Sequence, residues 1–132
     1  MMKKMFIVLF VVFSANSYAA SLQPSDLKLI KAAGIPLYSK ATFVYGNKSV
    51  GFRFASSTPP EEVRKWYRQE LPKWALFNDY GSWILYDGAP GIGGEMMTKN
   101  QVLIQHNDNL PQWYPIDKNM TTEVVIMFGL KS

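Results

Sequence analysis

Residues 58–74, TPPEEVRKWYRQELPKW, constrain the chain most, because they form an amphipathic helical pattern enclosed on both sides by runs of strand formers. At about 100° per residue, Val63, Trp66, Tyr67 and Leu71 fall on one stripe, while Arg64, Lys65, Arg68 and Gln69 fall on the rest. Thr58 stands where a cap is needed, Pro59 at the first helical position, and Glu61 three residues after Thr58 to close a capping box. Pro72 disfavours helix at Leu71 and marks the end. Burying such side chains contributes roughly 1.5–3 kcal/mol each, against a net domain stability of about 5–15 kcal/mol. The stripe is therefore predicted to pack on a sheet; the alternative is that Trp66 is an exposed anchor for a partner. Glu70 lies between Trp66 and Val63 near the negative end of the helix dipole. Either a basic group from the sheet offsets it or its side chain reaches water past the helix end.

The flanking segments supply the sheet. ATFVYGNKSVGFRF reads as a hairpin around GNK, with Phe43 and Tyr45 alternating before the turn and Val50, Phe52 and Phe54 after it. KWALFNDYGSWILYDG gives strands at Lys73 to Phe77 and Ser82 to Asp87, joined by the turn formers of NDYG. Both faces of that pair are apolar, so a helix can cover only one of them. The other face requires a loop, the first helix or a partner. QVLIQH alternates as a strand, and the nearly continuous apolar run of TEVVIMFGL predicts a central or well-covered one. Ahead of the sheet, DLKLIKAAGIP reads as a two-turn helix, capped by Ser25 and stopped by Gly34 and Pro36. The expected fold is α+β: a single antiparallel sheet of about five to six strands on one main helix, plus a short N-terminal helix.

The opening MMKKMFIVLFVVFSANSYAAS places Lys3 and Lys4 before an apolar run from Met5 to Phe13 and small residues at Ser17 and Ala19. This is the pattern of a secretory signal peptide over residues 1–19, its apolar run far short of the roughly twenty residues a spanning helix needs. Residues 20–132 then form a single domain, periplasmic or secreted from a bacterium, with no transmembrane anchor after processing. Loss of Lys3 and Lys4 lowers the formal charge from +4 to +2 and leaves no basic stripe for nucleic acid. The chain has no cysteine, which removes disulfides, thiolate zinc sites and thiol nucleophiles.

IPLYSKA before the hairpin, followed by S-x-x-P-E-E-V-x-x-W-Y-x-x-x-L-x-x-W from Ser57 to Trp74, resembles a broad group of small exported bacterial α+β domains of unassigned function. In that group a Pro-x-Tyr-x-x-Ala segment precedes a hairpin, a helix of this type and further antiparallel strands. The positions here are Pro36, Leu37, Tyr38, Ala41, Pro60, Glu61, Val63, Trp66, Tyr67, Leu71 and Trp74. The resemblance covers roughly Ile35 to Asp87, implies architecture, and brings no activity with it. The chain departs from the pattern through two long connections, Gly88 to Asn100 and Asn107 to Met120.

Candidate chemistry is sparse. His106, the one histidine, has Asp108 two residues on but no third relay partner announced by a motif, and no G-x-S-x-G elbow is present. Asp79, Asp87, Glu95 and Asp108 offer carboxylates that could pair for glycoside hydrolysis, and a hydrolase acting on cell-wall sugars or peptides would use an acid such as Asp108 or Glu95 assisted by His106. GAPGIGGEM lacks the spacing of a phosphate-binding loop. Met96 and Met97 with His106 are soft ligands for copper, or simply packing residues.

LPQWYPI, residues 110–116, joins stiff prolines to two adjacent rings, which either anchor a partner or fold back so that Trp113 covers the second sheet face. The candidate binding set is therefore Gln112, Trp113 and Tyr114, with Glu95, Met96 and Met97 from the glycine-rich loop. No catalytic residue, metal or cofactor is expected. These features together predict a non-enzymatic interaction module that binds a protein partner in the cell envelope, such as an inhibitor or immunity protein of an envelope-targeting enzyme. A small cell-wall hydrolase, or an accessory subunit pairing through a sheet edge, is the alternative.

Overall fold

The computed structural model describes residues 22–79, 81–88, 96–107 and 119–129. The expected signal peptide and the candidate residues Glu95, Gln112, Trp113 and Tyr114 lie outside that set. Among the described residues the chain forms α1 (Pro24–Ala32), β1 (Ala41–Asn47), β2 (Gly51–Ser56), α2 (Pro60–Glu70), β3 (Ala75–Asp79), β4 (Ser82–Tyr86), β5 (Gln101–His106) and β6 (Thr122–Met127). The strands make one antiparallel sheet in the order β1-β2-β6-β5-β4-β3. The fold is α+β, as the alternation of strand and helix patterns requires. β6, the most continuously apolar run, lies centrally, with Val124, Val125 and Ile126 all buried.

The register sorts the side chains into two faces. One carries Phe54, Val124 and Ile104 in a row, and next to it Phe52, Ile126, Val102 and Leu85. Both helices press on this face: Ile30 of α1, Ile35 just after it, and Val63, Tyr67 and Leu71 of the second helical segment join the same buried cluster. Trp66 is half-buried against that cluster, its ring 5.2 Å from Tyr38 and 4.8 Å from Tyr67, both edge-on. The stripe is thus a packing surface, and Glu70 reaches solvent.

Five local expectations are corrected. β1 carries a bulge: Phe43 pairs with Phe54 but Tyr45 pairs with Arg53, which leaves Val44 as the extra residue. Phe43 therefore faces the helices, while Tyr45 turns to the opposite face with its ring 5.7 Å from the Arg53 guanidinium. Nor is Gly46 part of the turn; it is a strand residue at φ 127 whose added Cβ would lie 2.0 Å from the Gly51 carbonyl oxygen. The reversal comes after Asn47, whose Oδ1 accepts the N–H groups of Ser49 and Val50 at 2.8 and 3.1 Å, and Val50 is 58 % exposed there.

The remaining three corrections concern two helix starts and a strand boundary. α2 begins at Pro60 after Pro59, with no side-chain cap. Ser56, Thr58 and Thr122 are buried where β2 hands over to α2, and their polar groups must be satisfied on the spot. Thr58 accordingly donates its N–H to the Ser56 hydroxyl, accepts the Thr122 hydroxyl at its carbonyl, and accepts the Tyr38 hydroxyl at its side chain. α1 likewise starts at Pro24, which needs no N–H partner, so Ser25 lies inside the first turn. β3 starts two residues later than expected because Pro72 to Trp74 are used in leaving the helix: Trp74 donates to the Leu71 carbonyl, and Arg68 Nη1 binds the Trp74 carbonyl.

The second sheet face carries no helix among the described residues. Ala55, Val125 and Tyr86 are buried on it, and Ile84, Leu103 and Met127 are partly covered. Arg53 and Glu123 pair across β2 and β6 at 3.2 Å, and Gln105 Nε2 donates to the other Glu123 oxygen at 2.6 Å. No helix among the described residues is long and apolar enough to cross a membrane.

Candidate binding cleft

The end of the sheet where β2 begins and β6 finishes gathers four separate segments. α1 stops there because Gly34 adopts φ 76, so that its N–H meets the Lys31 carbonyl and the Ile35 N–H meets the Ile30 carbonyl. The β1–β2 turn places Lys48 and Ser49 opposite α1. Phe128 and Gly129 continue past β6, and Asn100 leads into β5. Gly129 is required at its place because a Cβ there would lie 2.2 Å from the Thr98 carbonyl oxygen. Asn100 Oδ1 accepts the Gly129 N–H at 3.1 Å and locks the two segments together.

Between these segments lies a cleft of about 670 Å³, lined by Leu29, Ala32, Ala33, Lys48, Ser49, Asn100, Phe128 and Gly129. That volume is in the range of sites that enclose a small molecule or a few residues of peptide. Its lining joins an apolar floor to polar groups whose bonds are unspent. Among the described residues neither the Lys48 ammonium nor the Ser49 hydroxyl has a partner, and the Asn100 side-chain amide spends only its oxygen. On the α1 wall, the Ala32 carbonyl cannot bond the residue four positions on, because that residue is Pro36. Leu29 on the wall is 40 % exposed, and Val50 stands beside Ser49.

The residues singled out from the sequence are distributed differently. Met97 is 55 % exposed and Met96 half-buried, in the turn before β5, where the Met96 carbonyl accepts the Gln101 amide nitrogen at 2.7 Å. His106 is at the far end of β5, and five extended steps of about 3.3 Å separate it from Gln101. The methionine pair and His106 therefore do not converge on one ion. Asp87 is also distant from His106, since its N–H binds the Asn100 carbonyl at the opposite sheet end. Glu95 and Asp108, like the Gln112, Trp113 and Tyr114 set, lie outside the described residues. The topology still fixes where the two long connections depart: Gly88 to Asn100 joins β4 to β5 at the cleft end, and Asn107 to Met120 joins β5 to β6 at the other.

None of the cleft residues was selected by sequence reasoning. One did break its local pattern: Leu29 is an apolar residue off the buried side of α1. No protein-family model, curated protein or solved structure matches the chain.

Proposed function

We propose that the protein is a non-enzymatic interaction module of the bacterial envelope that holds a segment of a partner protein in the cleft between α1 and the β1–β2 turn. The observation that carries this reading is the cleft itself, with an apolar floor, exposed Leu29 and Val50 near it, and unspent polar groups on its walls. Leu29 carries the apolar floor of the cleft out to its exposed rim, and an apolar concave site with a few polar groups on its walls is the usual form of a binding site. The leader-like residues 1–19 support an exported location. The adjoining Gly88 to Asn100 connection ends in the cleft wall, which supports a role for that insertion in partner choice. In a version for an inhibitor or immunity protein, Trp113 and Tyr114 of the β5–β6 connection supply a separate contact.

The test is binding of a partner identified from periplasmic extract, then purified and titrated against wild type and Ala32→Trp. Ala32 is exposed on α1 and lines the cleft, so the indole fills the site without entering the core. The expected result is a loss of about tenfold or more in affinity, equivalent to roughly 1.4 kcal/mol, with an unchanged melting temperature. Equal affinity of the two proteins for the purified partner refutes the assignment of the cleft.

A further inference from the structure

We infer that the cleft takes the C-terminal residue of an extended peptide, with a free carboxylate and an apolar side chain; this deepens, and rests on, the reading of the cleft as a partner site. Three complementarities meet there. Lys48, Ser49 and Asn100 present three unspent donors, one of them charged, and among the described residues no acidic side chain lines the site. Such a set matches a carboxylate, whose two oxygens accept several hydrogen bonds and gain most from a charged donor.

Leu29 and Phe128 provide an apolar floor for one side chain. Phe128 is fixed by its edge-on contact with buried Phe52, ring centres 6.0 Å apart. The carbonyls of Ala32 and Ala33, on the α1 wall, accept no N–H among the described residues, and for Ala32 the residue four positions on is Pro36, which has none to give. They call for a ligand that donates N–H groups, which a peptide has and a fatty acid lacks. A C-terminal residue carries its carboxylate, its N–H and its side chain on a single Cα, so one residue satisfies all three walls. An internal Asp or Glu separates its carboxylate from its own N–H by further bonds, and its chain must continue out of the site.

The experiment titrates the full-length processed protein by amide NMR with four probes: acetyl-Gly-Gly-Ala-Leu as free acid, the same peptide as carboxamide, acetyl-Gly-Glu-Ala-Leu-carboxamide, and decanoate. The expected result is saturable shifts at Ala33, Ser49, Asn100 and Gly129 with the free acid, and binding about tenfold weaker for the other three. Lys48→Met, an exposed change, is expected to weaken the free acid about tenfold and leave the carboxamide unaffected. Equal binding of the carboxamide overturns the terminal carboxylate, equal binding of the internal glutamate peptide overturns the terminus, and equal binding of decanoate overturns the peptide. No shift with any probe overturns the inference. If a purified partner still loses affinity for Ala32→Trp while the free acid does not bind, the cleft stands as the partner site and only its assignment to a C-terminus fails.

Discussion

Replacing Tyr67 by Phe separates what its ring does from what its hydroxyl does. Tyr67 is 1 % exposed on the inner stripe of α2, and its oxygen accepts the Tyr38 N–H at 3.3 Å. The variant keeps the ring but leaves that half-buried amide without its acceptor. Near neutral pH this costs about 1 kcal/mol, the lower end of the range for an unsatisfied donor because Tyr38 retains some contact with water. Burial also pushes the Tyr67 phenol well above its ordinary 10.0, and the Tyr38 amide only partly opposes this. Above pH 10 the unfolded phenol therefore loses its proton while the folded one keeps it. The unfolded state then binds fewer protons, and wild-type stability falls by roughly 1.4 kcal/mol per pH unit. The variant has no such group. Its deficit is expected to vanish near about pH 11 and to reverse beyond it, which urea melts from about pH 8 to about pH 11.5 measure directly. A deficit that stays constant across that range refutes the reasoning, because it means the phenol ionises within the folded state.

Three further changes probe the scaffold by urea or thermal melting. Trp66→Ala is expected to destabilise by about 2–3 kcal/mol, less than a fully buried Trp would lose, since the ring is only half-buried where it packs on the core cluster and edge-on against Tyr38 and Tyr67. Gly46→Ala forces a Cβ against the Gly51 carbonyl at an unfavourable φ, and a loss of about 3 kcal/mol or more, or no folded protein, is the expected outcome. Thr122→Val keeps the shape but removes the hydroxyl that donates to the buried Thr58 carbonyl, so about 1–3 kcal/mol is lost, whereas Thr122→Ser retains the bond and loses less.

What the sequence made legible follows from which forces are local. The inner stripe of α2 was readable because four apolar residues at helical spacing dominate any partner-specific effect, and β6 was readable because only a central strand has both faces to bury. The bulge at Val44 was not readable: ATFVYGN alternates well enough for a regular strand, and only the pairing of Tyr45 with Arg53 reveals the slip. The capping box also failed for a long-range reason. Thr58 has the local chemistry of a cap, but burial beside Thr122, 64 residues on, assigns its groups to the β2–β6 junction. The cleft was least accessible, because its walls come from four segments that meet only once β6 has inserted between β2 and β5.

That insertion also determines how the cleft can be tested without unfolding the protein. Because the last strand occupies the middle of the sheet, Phe128 leaves the core next to the β1–β2 turn and serves two purposes: it packs edge-on against Phe52 and floors the cleft. Phe128→Ala is therefore expected to reduce stability and binding together, and cannot tell a lost ligand contact from a loosened core. Lys48 and Ala32 lie on the exposed rim and carry no core contact, so changes there alter recognition alone. The same coupling runs in reverse. A ligand seated on Phe128 stabilises the folded state by RT ln(1 + [L]/Kd), so a bound probe is expected to raise the melting temperature of wild type. It is expected to leave that of Ala32→Trp unmoved, and an equal rise in both proteins places the probe elsewhere on the surface.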